Sequence, residues 1–179
     1  MIDTITFRFD IELDQEHLLH WQRTVVQKAN GACYMNFSLD ITTDNGTSIR
    51  CTYHPRSYKG QPLLLIEFSL PKLLYGNNCT MLVDIEKGID KANEALFDVP
   101  GFPVLDLQDA IINRLDVCYN HQVENLVPYF IKALQYLEFP RRKTKPYTTE
   151  GVQYYNKQKS TKFYDKQKEC GDPAAHGIR

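Results

Sequence analysis

Paired cysteines are missing from this chain of 179 residues. Cys33, Cys51, Cys79, Cys118 and Cys170 stand singly, with no C-x-x-C pair. An odd, scattered set argues against a disulfide framework or a zinc site and leaves reduced, partly buried thiols. Long apolar runs are missing too: none approaches the ~20 residues that cross a bilayer. The start, MIDTITFRFD, alternates like a strand and puts Asp3 where a signal peptide would carry basic residues. Together these absences predict an intracellular protein. His17, His20, His54, His121 and His176 form no H-x-H pair, and none is assigned a catalytic role. Internal repeats and low-complexity stretches are likewise absent.

What is present fits one globular domain. Hydrophobic residues make up 42% and charged residues 24%, the ordinary range for a folded domain. The length suits a single domain, 1–179, better than two. The net charge of −1 conceals an asymmetry. Residues 1–140 hold 11 Lys and Arg against 18 Asp and Glu, while residues 141–168 hold 9 against 2. Lysines and arginines bunched near Tyr147, Tyr154, Tyr155 and Phe163 suit a phosphate backbone with stacked bases. A solvated basic loop would have the same composition.

Hydrophobic periodicity divides the chain into elements. Residues 3–11 alternate as a strand with Ile5, Phe7, Phe9 and Ile11 on one face. Residues 14–29 read as an amphipathic helix capped by Asp14, with Leu18, Trp21 and Val25 along one stripe. Strands are predicted over 32–41, 48–54 and 62–70, with turns at Asp44-Asn45-Gly46 and Lys59-Gly60. A helix over 80–97, a strand over 111–119 and a helix over 122–138 follow. In the last of these Val127, Phe130, Leu134 and Leu137 face inward, and Pro128 sits in the first turns, where it is tolerated. A basic loop, 140–149, leads to strands at 150–156 and 160–164. This order predicts an α+β sandwich, a largely antiparallel sheet covered by helices.

Three places carry chemistry. In Lys162-Phe-Tyr-Asp-Lys166, strand alternation puts Lys162, Tyr164 and Lys166 on one face. A phenol, with a pKa of about 10, is a poor nucleophile at neutral pH. Flanking ammonium groups or a metal-polarised phosphate make its attack feasible, although a surface strand with lysines has the same pattern. In Arg114-Leu-Asp-Val-Cys118, Arg114, Asp116 and Cys118 share one face, while Leu115, Val117 and Tyr119 fit the core side. Arg114 and Asp116 form either a structural ion pair or half of a metal and phosphate site. Glu67 lies inside the apolar strand Leu63–Leu70, where an unpaired carboxylate is costly. A salt bridge to Arg114 satisfies it, and so does a divalent ion shared with Asp116. Glu169, five residues beyond Tyr164, is either a third oxygen ligand or a surface acid.

Taken in order, these pieces resemble the replication initiators of filamentous phages, the gene II protein family. The opening Met1-Ile-Asp resembles the family's start. Glu67-Phe-Ser-Leu-Pro-Lys-Leu-Leu-Tyr-Gly-Asn-Asn78 resembles its E-(x)-S-P-x-K-x-L-x-G-x-N segment with a one-residue gap allowed. Arg114-Leu-Asp116 resembles its R-[IL]-D strand. Val152-Gln-Tyr-Tyr-Asn156, with Tyr164-Asp-Lys166 and Glu169, resembles its T-V-x-W-N…Y-x-K-x-x-E block. The resemblance covers nearly the whole chain, and the end at Gly177-Ile-Arg179 is expected to be the edge of a fragment of a longer initiator.

The resemblance implies an enzyme of rolling-circle DNA replication with an HUH-endonuclease-like, palm or RRM-like fold. Such initiators nick a supercoiled origin through a tyrosine, stay linked to the 5′ phosphate, and later rejoin the displaced strand. It implies Tyr164 as the nucleophile and Lys166 as its basic companion. The broader superfamily holds a divalent ion with two histidines on a central strand, a pair absent here and in the filamentous-phage branch; Mg2+ or Mn2+ is placed near Asp116 and Glu67, with Glu169 as third ligand. Arg114, Arg141, Arg142, Lys143, Lys145 and Lys162 are expected to contact DNA, within a basic segment spanning 140–168. Implied partners are origin DNA, single and double stranded, with a host helicase and polymerase in the cytoplasm of a bacterial cell. Two other classes stay open: an origin-binding module without catalysis, and an interaction protein whose charges serve solvation alone.

Overall fold

Alternation of apolar and polar residues recurs along the chain, and among the described residues β-strands outnumber helices accordingly. The computed structural model describes residues 2–27, 31, 33–56, 60–77, 84–119, 126–147 and 151–165. They belong to two compact units, 1–118 and 119–179.

In the first unit, β1 (Ile2–Phe9), β2 (Gln22–Gln27), β3 (Cys33–Thr42), β4 (Ser48–His54), β5 (Leu63–Ser69) and β6 (Ile111–Val117) form one sheet. Its order is β2-β3-β4-β5-β1-β6, and every neighbouring pair is antiparallel. Cross-strand partners share a face, so the register sorts the side chains cleanly. Leu39, Cys51, Ile66 and Phe7 form one apolar row. Ile41 and Ile49 belong to another, as do Phe68 and Ile5. On this face lie α1 (Leu70–Tyr75) and α2 (Ile85–Phe97), whose Leu70, Leu73, Ala92 and Leu96 join the same buried core. Gly88 lets the two helices close up: a Cβ there would stand 2.4 Å from a Leu70 methyl. The structure is thus α+β with a large antiparallel sheet and helices over it, as the element order predicted, consistent with a palm or RRM-like sandwich. Among the described residues, α1 and α2 leave the opposite, polar face of the sheet uncovered.

The expected helix over 14–29 does not form. Residues 15–20 make successive turns, with bonds from Leu18 N to Gln15 O and from Trp21 N to Leu18 O, and 22–27 is β2. Asp14 does cap the first turn, accepting from the His17 amide at 3.1 Å. Thr24, Val25 and Val26 then favour a strand, and pairing along β3 supplies backbone partners that a short helix would leave at its ends. Trp21 is buried as the stripe required, but stacks on Phe102 from a turn. The helix α1 is the other departure, because the apolar run 62–70 hid the change at Ser69, where Pro71 and the left-handed Gly76 bound a short helix. Leu115 and Val117, expected on the core side, are half exposed because β6 is the sheet's edge strand.

The second unit contains α3 (Val127–Gln135), β7 (Lys143–Pro146), β8 (Gly151–Tyr155) and β9 (Ser160–Tyr164). The strands form an antiparallel sheet in the order β7-β8-β9. Asn156 shapes the β8–β9 turn by accepting from the amides of Gln158 and Lys159. One face carries Val152, Tyr154 and Phe163, with Phe139 edge-on to Tyr154. Ile131 of α3 is buried and the Tyr154 hydroxyl donates to the Leu134 carbonyl. The buried residue of α3 is therefore Ile131, whereas Phe130 and Leu137, expected to face inward, are about half exposed. Part of the expected basic loop, Lys143–Pro146, is strand β7. No helix among the described residues is long and apolar enough to cross a membrane.

Candidate functional site

The open face of the first unit carries a row of polar side chains running across five strands. Asp40 pairs with Arg50, Arg50 with Glu67, Glu67 with Thr6, and Thr6 with Arg114. One step along, Thr4 pairs with Asp116. Arg114 joins two acids of this face. It donates to both oxygens of Asp116, from Nε at 2.9 Å and from Nη2 at 2.5 Å. A third donor, Nη1, reaches Glu67 Oε2 at 3.2 Å, and the same oxygen accepts from the Thr6 hydroxyl at 3.0 Å. The lone acid of the apolar strand is thus satisfied by a guanidinium and a hydroxyl. The hydrogen bonds to Asp116, with the charges of Asp116, Glu67 and Asp3, hold the Arg114 guanidinium protonated beyond its usual range.

In the second unit the outward face of the β7-β8-β9 sheet is basic and aromatic. Lys145, Gln153 and Lys162 stand opposite one another across three strands, and Lys143, Tyr155 and Ser160 form the next row. Tyr164 faces the same way as Lys162, opposite Gly151. The Lys162 ammonium lies 4.6 Å from the centre of the Tyr147 ring, and Tyr147 lies 5.5 Å from the Tyr164 ring. Lys145 is over Tyr155 at 5.1 Å. Gly151 makes the arrangement possible. A Cβ there would meet the Tyr147 carbonyl at 2.4 Å, the Phe163 carbonyl at 2.9 Å and Tyr164 Cβ at 3.1 Å. Only a residue without a side chain lets Tyr147 and Tyr164 come together over the start of β8. Cations over rings beside half-buried tyrosines suit a strand of nucleic acid, whose phosphates take the lysines and whose bases stack.

The family described as the N-terminal region of the phage replication-associated gene II protein matches residues 1–179. The chain belongs to this family. No curated protein and no solved structure matches it. Membership makes it a phage replication initiator protein, and origin DNA its expected ligand.

Within this replication-associated domain, the predicted residues fall into three groups. Glu67, Arg114 and Asp116 are brought together in the first unit. Lys143, Lys145, Lys162 and Tyr164 share one face in the second. Arg141 and Arg142 follow Pro140 in a tight turn closed by a bond from Arg142 N to Phe139 O. Arg141 takes a φ of +62°, a left-handed conformation that costs a non-glycine residue about 1–3 kcal/mol. Arg142 gives one donor to the Thr161 hydroxyl at 2.8 Å and so ties this turn to β9. Lys166 and Glu169 lie outside the described residues.

The donor chemistry of the first unit suits a hard divalent cation only in part. Carboxylate oxygens are the correct type for Mg2+ or Mn2+, and Asp3 Oδ1 is buried without a hydrogen-bond partner. Both Asp116 oxygens, however, are occupied by Arg114. Among the described residues no three acidic, histidine or cysteine side chains converge as a metal site. Asp3, Thr6 and Gly151 were not singled out in the sequence. Asp3 gave one signal, its place in the Met1-Ile-Asp start. Gly151 gave another, a glycine directly before a run of strand-forming residues.

Proposed function

We propose that this domain nicks and rejoins one strand of origin DNA by transesterification, with Tyr164 as nucleophile. The Tyr164 oxygen attacks a backbone phosphorus, the bond from phosphorus to the 3′ oxygen breaks, the phenolic proton is given up to solvent or a nearby base, and the leaving 3′ oxygen takes up a proton from solvent. A 5′-phosphotyrosine and a free 3′ hydroxyl result, and attack by a 3′ hydroxyl reverses the step. The phosphodiester is exchanged rather than hydrolysed, so its free energy is kept for rejoining. The observation that carries this proposal is the shared face of Tyr164, Lys162, Lys145 and Tyr147. It supports a tyrosine presented to a strand whose phosphates meet ammonium groups and whose bases meet rings. Lys166, two residues on, would neutralise charge on the attacked phosphate or help deprotonate the phenol. Arg141, Arg142 and Lys143 extend the basic track.

Glu67 and Asp116 would hold Mg2+ or Mn2+ once a DNA phosphate draws Arg114 away from Asp116. Such an ion supplies positive charge to a phosphate oxygen. Arg114, released from Asp116, would grip the phosphate in its bidentate fork. A host helicase and polymerase, in the cytoplasm of a bacterial cell, would use the displaced strand and the 3′ hydroxyl.

An origin-binding module without catalysis is the second reading, favoured by the way Arg114 already satisfies both acids. A denaturing gel separates the two. Wild-type protein incubated with an origin oligonucleotide and Mn2+ is expected to give a covalent protein–DNA band that Tyr164→Phe lacks, while both bind the oligonucleotide. No band from wild type, or an equal band from Tyr164→Phe, removes Tyr164 as nucleophile.

A further inference from the structure

We propose that a cleft on the first unit's open sheet face is a phosphodiester-binding subsite, where Lys72, Arg50 and Ser69 hold one backbone phosphate of the DNA. The cleft, of about 500 Å³, has Ser48 and Arg50 of β4, Glu67 and Ser69 of β5, and Thr4 of β1 in its lining, with Lys72 of α1. Arg50 stands opposite Glu67, and Thr4 opposite Ser69, so these side chains share the face. Five residues of the stretch that carried the family resemblance, Glu67, Phe68, Ser69, Lys72 and Gly76, line this one cleft.

Its donors are unspent. The Lys72 ammonium has no partner among the described residues, although its backbone is firmly held. The Lys72 carbonyl accepts from Asn45 Nδ2 at 3.1 Å, from the Thr47 hydroxyl at 2.8 Å and from the Gly76 amide at 2.8 Å. The side chain therefore starts from a fixed point. Among the described residues Arg50 uses only Nε, on Asp40 at 3.0 Å, which leaves its two terminal nitrogens for a ligand. The Ser69 hydroxyl is buried without a hydrogen-bond partner. A buried orphan of this kind is costly unless something in the cleft satisfies it. Glu67 is the one acid in the lining, and the Arg114 guanidinium offsets its charge.

Two cations and several hydroxyls around one offset carboxylate suit an anion. A phosphodiester fits: a single negative charge on two oxygens, one for the Arg50 fork and one for Lys72, with Ser69 donating to either. This inference rests on the reading that the chain binds DNA, and not on the role of Tyr164.

The test uses the full chain in a Tyr164→Phe background, so that no covalent link contributes. Fluorescence anisotropy follows a labelled single-stranded oligonucleotide over a range of salt. Lys72→Gln and Arg50→Gln are each expected to weaken binding on any sequence and to lower the slope of log K against log salt by about 0.7, the single-strand value per phosphate contact. Lys72→Arg is expected to keep the wild-type slope. Slopes unchanged in both Gln variants, with unchanged circular dichroism, would overturn the subsite. Calorimetry with inorganic phosphate separates the sources: no saturable heat is expected. Tight binding of free phosphate, lost in Lys72→Gln, would overturn the DNA assignment. Absence of a covalent band from wild type would remove the nucleophile and leave these slopes as they are.

Discussion

The two units handle charge in opposite ways. In the first, cations are set against acids: Arg8 against Asp10, Arg50 against Asp40, and Arg114 against both Glu67 and Asp116. In the second, Lys145 and Lys162 lie over aromatic rings instead. Exposed ion pairs contribute only about 0–1 kcal/mol of stability, so neither pattern exists mainly to hold a fold together. On the proposed reading, the paired cations Arg50 and Arg114 would exchange an acid for a phosphate. The ring-stacked lysines already present their charge beside surfaces on which bases stack. On the same proposed reading, the first unit would grip and coordinate, and the second would carry the reacting group.

The cores differ as well, and the largest expected effect tests that. The second unit buries few side chains around Tyr154, and Tyr154→Ala is expected to cost about 3–5 kcal/mol. Hydrogen exchange should show protection lost in β7, β8 and β9 while β3, β4 and β5 keep theirs. Equal loss in both would break the distinction. Asp116→Ala is expected to lower the nicking rate by about 100-fold, roughly 2.7 kcal/mol of barrier, with oligonucleotide affinity nearly unchanged. Unimpaired nicking would move any ion away from these acids. Gly151→Ala should destabilise the second unit by about 1–3 kcal/mol, the range for overpacking, and reduce covalent adduct more than DNA affinity. Equal falls in both would leave Gly151 as a structural residue alone.

The smallest effect concerns Cys51. Burial, helped by the charge of Asp40, pushes its thiol up from 9.0 to about 12. In the unfolded chain the thiol ionises as pH rises through 9.0, whereas the folded chain holds the proton until about 12. Its contribution to stability is therefore intact below pH 9.0 and is lost as pH climbs towards 12. Alkylation at neutral pH should label exposed Cys33 and spare Cys51 until the first unit unfolds.

Much of the sheet was legible because its strands bury one face, and a half-buried strand writes its period directly into the sequence. Residues 14–29 misled because Leu18 and Trp21 do go inward, but from turns, and only the partner strand β3 decides that Thr24, Val25 and Val26 extend. The link between Glu67 and Arg114 was legible for a physical reason: a single acid in Leu63–Ser69 needs a partner. Asp3 was not, because simple alternation groups it with Ile5 and Phe7, while the register between β1 and β6 shifts between Ile2 and Thr4. Nor could sequence show that Ser69, Lys72 and Arg50 line one cleft, since the turn Asn45–Thr47 that fixes Lys72 joins β3 to β4 and lies 25 to 27 residues before it in the chain.

The central claim is that Tyr164, among several tyrosines on a basic sheet, is the one that bonds to DNA. Trapping the wild-type adduct with an origin oligonucleotide and Mn2+, digesting both components, and sequencing the nucleotide-bearing peptide by mass spectrometry tests it directly. The nucleotide is expected on Tyr164. A nucleotide on Tyr147 or Tyr155, or a wild-type chain that forms no adduct, would contradict the account.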